Sequence, residues 1–175
     1  MDSWMIFVQA LGIAAMIISF LSLQCRTNKN YLIMQCVAMA LFTAHFTLLG
    51  SIAGALMNLI GAARSVVFYY KKNQNKAWSL ILFEIITVLS ILFCIIYLKE
   101  NVWLTLLVLC ANGTNTWAIW TGNGKFIRIV VLTVQAPLWI IYNAFAFSIA
   151  GIITEVFNIF SSAIALYRYR KIGFQ

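Results

Sequence analysis

Residues 57–71 read MNLIGAARSVVFYYK, and one hundred positions later residues 157–171 read FNIFSSAIALYRYRK. Aligned without a gap, the two halves also share Gln35/Gln135, Ala44/Ala144, Ile52/Ile152 and Asn58/Asn158. Ala63/Ala163, Tyr69/Tyr169 and Lys71/Lys171 follow. In a chain this apolar the hydrophobic matches weigh little. The polar ones carry the argument: an Asn near the outer end of each copy and a basic, aromatic terminus closing each. Self-similarity at a fixed spacing predicts a duplicated architecture.

Of the 175 residues, 63% are hydrophobic and 9% charged. A water-soluble surface needs roughly a quarter to a third of its positions charged. Apolar runs of about 20 residues cross a hydrocarbon core of ~30 Å as helices, and no period-two alternation speaks for a β-barrel. The chain reads as an all-α polytopic membrane protein with seven spans: 5–23, 31–49, 53–70, 77–98, 102–120, 127–147 and 150–169. No basic residue precedes the first span, so it is not read as a signal peptide. Gln24 before Cys25 occupies the place where a lipoprotein signal needs a small residue. The first span is therefore read as retained.

Short cytoplasmic loops collect Lys and Arg. Arg26 and Lys29 follow span one, Lys71, Lys72 and Lys76 follow span three, Lys125 and Arg128 flank the link from span five to span six, and Arg168, Arg170 and Lys171 close the chain. The links near Gly50 and Ile149 carry no basic residue, and Lys99 with Glu100 is neutral. This alternation places the N-terminus outside and the C-terminus in the cytoplasm. The net charge of +8 is then a topology signal and an attraction to anionic headgroups. Basic residues split over four short loops do not make a nucleic-acid surface.

Three spans form a unit, and an odd unit repeated directly would be inverted. Span four turns the chain around, so the expected fold is two parallel three-helix bundles joined by a linker helix: repeat one 1–72, linker 73–99, repeat two 100–175. Parallel repeats about an axis along the membrane normal place a site at their interface near the midplane. There is no CxxC and no Cys/His set at zinc spacing, so neither a disulfide nor a metal is expected, and no coenzyme fingerprint points to a cofactor.

Polar groups at membrane depth mark candidate sites, against the alternative of hydrogen bonds between helices worth about 0.6 kcal/mol each. Asn58 and Asn158 stand at matched places in spans three and seven, facing either a shared cavity or their own bundles. Asn112 and Asn115 share one face of span five, beside Thr116 and Trp117. Asn143 lies in span six, where Pro137 removes a backbone hydrogen bond and is expected to kink the helix. His45, the only histidine, is either a proton relay or a packing group. Arg64 and Glu84 lie ~10 Å and ~12 Å from the same membrane boundary and pair either as a structural tie or as a proton or gating switch. Glu155, one turn from Asn158, is a proton site or a solvated acid.

The stretches AHFTLLGSIAGALMNLI (44–60), TNTWAIWTGNG (114–124) and WIIYNAFAFSIAGIITEVFNI (139–159) resemble the YgjV family of bacterial inner-membrane proteins. More distantly, the three-one-three plan is similar to the sugar-transporting SWEET proteins and the nicotinamide riboside transporters. That resemblance implies pocket roles for Asn58 and Asn158, with Trp117 and Trp120 as an aromatic wall. The prolines of spans one and five that mark SWEET proteins are absent, so neither their hinge nor sugar as substrate is carried over. The leading expectation is a transporter or facilitator of a small polar solute in the bacterial inner membrane. Its partners are the lipid bilayer and that solute, with a homo-oligomer left open. The alternative is a non-transporting membrane component, a sensor or assembly partner. With one His and no acidic metal-binding pair, an enzyme is the least favoured reading.

Overall fold

The computed structural model describes residues 3–23, 28–70 and 77–172. Cys25, Arg26 and the basic stretch 71–76 lie outside the described residues. Of Lys29, Arg168, Arg170 and Lys171 only the helical backbone is described.

Seven helices account for almost all of these residues, and no strand is present among them. They are α1 (Ser3–Leu23), α2 (Asn28–Leu48), α3 (Ile52–Tyr70), α4 (Trp78–Ile96), α5 (Val102–Thr121), α6 (Gly124–Phe145) and α7 (Ile149–Ile172). Five of the seven (α1, α4, α5, α6 and α7) are long and apolar enough to cross a membrane. The other two carry shorter apolar stretches, Ile33–Leu48 in α2 and Ile52–Phe68 in α3.

The turns between helices follow from local chemistry. Gly50, at φ +76°, takes the left-handed conformation that ends α2. Gly122 does the same after α5 at φ +65°. Asn123 then caps α6, its Oδ1 accepting from the Lys125 and Phe126 amides at 3.1 Å. Asn101 caps α5 in the same way, accepting from Trp103 and Leu104. Ahead of Pro137, α6 loosens into a π turn, Val131–Gln135, in which the Ala136 amide reaches back to the Val131 carbonyl. A proline has no amide to give and its ring crowds the preceding turn. The wider turn absorbs that defect while the helix runs on.

Packing closes the helices into a ring: α1 against α2, α2 against α3, α3 against α5, α5 against α6, α6 against α7, and α7 back against α1. Helix α4 lies outside, in the groove between α3 and α5. Its buried positions, Ser79, Phe83, Thr87, Ile91 and Cys94, form one stripe at helical spacing. The other faces of α4 expose Ile81, Leu82, Ile85, Leu89, Leu92 and Phe93.

The polarity of the whole molecule is the reverse of a soluble protein. Side chains such as Ile6, Phe7, Ile13, Phe145, Phe160 and Ile164 are on the surface, whereas His45, Arg64, Asn112, Asn115, Asn143 and Glu155 are inside. Water penalises that distribution, and a bilayer favours it. The molecule is an all-helical, multi-pass membrane protein.

Candidate functional site: a carboxamide-lined cavity inside the helix ring

A cavity of about 120 Å³ lies at the centre of the ring. All six ring helices line it and α4 does not. Helix α2 contributes Gln35, Met39, Phe42 and Phe46; α3 contributes Met57 and Asn58; α5 contributes Asn112 and Asn115. Helix α6 adds Arg128, Gln135, Trp139 and Asn143, and α7 adds Gly151, Thr154, Glu155, Asn158 and Ser162. Ser19 reaches it from α1. At one end Phe46 meets Trp139 and Tyr142, with ring centroids 5.9 Å and 6.1 Å away. From this aromatic layer the cavity extends along α6 to Ile127 and Arg128, within one turn of the helix start.

The amides around the cavity are oriented by their neighbours. Asn58 Nδ2 donates to the Gly54 carbonyl (2.9 Å) and Asn112 Nδ2 to the Met57 carbonyl (3.1 Å). Asn158 Nδ2 donates to the Glu155 carboxylate (3.1 Å). Gln35 Nε2 donates to Ser22 Oγ (2.7 Å), whose own proton goes to the Ser19 carbonyl. Each partner can only accept at that contact, so the nitrogen must face it. Each contact uses one of the two N–H groups of the amide and fixes which end carries the oxygen. The Asn143 Oδ1 and Gln135 Oε1 atoms are buried with no hydrogen-bond partner among the described residues. Such acceptors inside a membrane protein need a donor.

Of the candidates named from the sequence, Asn58, Asn112, Asn115, Asn143, Asn158 and Glu155 come together here. Four others do not. Trp117 is half exposed and packs edge-on against Phe126, with centroids 5.0 Å apart. Phe42, Phe46 and Trp139 are the aromatic groups of the cavity instead. Arg64 is buried and donates to Thr116 Oγ1 on α5 (2.6 Å). Glu84 stands within electrostatic range of Arg64 and packs on Gly113, where an added Cβ would sit 3.0 Å from its Oε2. The two charges therefore meet on one face of α5, at the seam with α3 and α4, behind the cavity wall.

His45 is wholly buried between three helices. Its Nδ1 lies 2.8 Å from the Val8 carbonyl and its Nε2 2.9 Å from Ser148 Oγ. A carbonyl only accepts, so Nδ1 carries the proton. Ser148 Oγ also accepts the Gly151 amide at 3.1 Å, capping α7. A second side chain makes the reciprocal contact. Tyr142 Oη accepts the Gly54 amide at 2.8 Å near the start of α3 and hydrogen-bonds with the Ser51 side chain. Thus α2 ties down the start of α7, and α6 ties down the start of α3.

These turns share one backbone pattern. Ser51 N–H bonds the Phe46 carbonyl and Ser148 N–H the Asn143 carbonyl; Gly50 pairs with Thr47 and Phe147 with Ala144. The spacing between them is 97 residues, not the 100 of the gapless alignment. Counted from these turns, Asn58 stands level with Glu155, seven residues into each helix. Asn158 lies one turn deeper.

A family model described as a bacterial inner membrane protein, Imp-YgjV, matches residues 6–172. The chain belongs to the YgjV family. Neither a curated protein nor a solved structure matches it. As a YgjV-family member it is a multi-pass protein of the bacterial inner membrane, in contact with the lipid bilayer. Sequence reasoning about this YgjV-family chain passed over Gln35 and Gln135 as site residues, although both stand in the wall. The signal was present, since they are matched amides at membrane depth, as Asn58 and Asn158 are.

Proposed function

We propose that the protein moves a small polar solute across the inner membrane, without catalysis, by rocking two three-helix units about the central cavity. The units are α1–α3 (residues 1–72) and α5–α7 (residues 100–175), with α4 (residues 73–99) as the linker that makes them parallel. The observation that carries this reading is the convergence of six helices, and not the seventh, on one polar cavity. The paired contacts His45 to Ser148 and Tyr142 to Ser51 and Gly54 support a two-fold relation between the units. In this reading α2 and α3 also cross the bilayer, since they supply the ring with Gln35, Phe42 and Asn58.

The alternating basic links put the N-terminus outside and the C-terminus in the cytoplasm. The aromatic layer of Phe46, Trp139 and Tyr142 then closes the outer side, and the cavity faces inward past Arg128. Uptake by purified protein in vesicles, screened over sugars, nucleosides, vitamins and amines, tests the proposal. Saturable uptake of one class, lowered in N58A at unchanged protein level, is the expected result. Absence of uptake across all four classes counts against transport.

A further inference from the structure

Resting on the reading of this cavity as a solute site, we infer that its ligand carries a primary ammonium group, held by the Glu155 carboxylate and by carboxamide oxygens. The wall is biased toward accepting hydrogen bonds. Gln35, Asn58, Asn112 and Asn158 each commit one of two N–H groups to the protein, which leaves one N–H against the two lone pairs of the oxygen. Asn143 is 1% exposed and its Oδ1 has no partner among the described residues. Its carboxamide lies against Gly151, where a Cβ would fall 2.5 Å from that oxygen.

Glu155 is the only acidic residue among the described residues lining the cavity, and it is 9% exposed. Its one hydrogen bond among them comes from the neutral Asn158. Arg128, the only basic residue among the described residues in the wall, stands apart from it: by helical rise it lies about 16 Å farther along the cavity. A buried carboxylate with no cation beside it is costly in a membrane, and a cationic ligand removes that cost. Phe42, Phe46 and Trp139 line the same wall, and aromatic rings attract cations. A primary ammonium satisfies all of this, because its three N–H groups match several acceptors at once. A quaternary ammonium has none.

The test is isothermal titration of the full-length protein in lipid nanodiscs with four small probes: ethanolammonium, choline, ethylene glycol and glycolate. Saturable binding of ethanolammonium, at least tenfold tighter than the other three, is expected. E155Q should weaken it by about tenfold or more, since a charge-assisted contact is lost, and N143A should weaken it less. If glycolate or the diol binds as tightly, or no probe binds, the inference is wrong. The ranking on the unaltered protein decides this even where E155Q does not fold. Uptake of ethanolammonium into vesicles separates this inference from the proposed function. Binding without uptake removes transport and leaves the ammonium site. Uptake of a neutral solute without ammonium binding does the reverse.

Discussion

Asn143 and Gly151 show how closely single residues are fitted here. A methyl group at position 151 would press on both polar atoms of the Asn143 carboxamide, at 2.5 Å and 2.7 Å. Overpacking of this kind costs about 1–3 kcal/mol, so G151A should lower the melting temperature, and G151A with N143A should recover most of the loss. Equal instability of the single and double variants would show that the two do not touch. Asn58 behaves differently if the proposed function holds. N58A should reduce uptake roughly 5- to 150-fold, the equivalent of about 1–3 kcal/mol of lost hydrogen bonding, with a near-normal melting temperature. Lowered stability with normal uptake per folded molecule would make it a packing residue. At this scale the sequence was informative about which residues are unusual. An amide or an acid stands out against hydrocarbon, and six of those singled out line one cavity. It was silent on what each one faces: His45 and Asn143 are equally conspicuous in the chain, yet one is fastened to Val8 and Ser148 and the other has an oxygen with no partner among the described residues.

Among the helices, the seam of α3, α4 and α5 holds the most expensive groups. Arg64 reaches Thr116 across it, and Glu84 sits on Gly113. Neutralising Arg64 or Glu84 alone should destabilise the protein by roughly 3–5 kcal/mol, because an uncompensated charge stays buried. Replacing both with apolar residues of similar size should return much of that stability. Thermal denaturation of the three variants reads this out, and strict additivity would exclude the pair. The limits of all seven helices were legible from hydropathy to within a few residues, since apolar length and Asn or Gly punctuation are local signals. Pro137 was legible as a defect but not in its form. The π turn Val131–Gln135 is a response of the backbone over several residues, which composition does not encode. The 97-residue spacing was hidden for a related reason. It is fixed by the turns at 46–51 and 143–148, where the two halves share only one residue, the serine at 51 and 148.

For the molecule as a whole, the orientation proposed above has a direct check. A reporter fused after Gln175 should read cytoplasmic and one inserted at Gly50 should read external; the opposite result at either position rejects seven crossings in this direction. The reciprocal contacts across the ring have a consequence for how the chain can be divided. The start of α7 is held by His45, and the start of α3 by Tyr142, so each half supplies the clasp that the other needs. Neither half should therefore fold by itself. Produced separately, fragments 1–72 and 73–175 should each be degraded. Produced together in one cell, they should complement one another and copurify, and H45A or Y142F should weaken that reassembly. An accumulating, well-folded single fragment would show that the clasps are dispensable. If they are not, the chain cannot be divided by a cut: residues 1–72 and 73–175 are obligate partners that happen to share one chain.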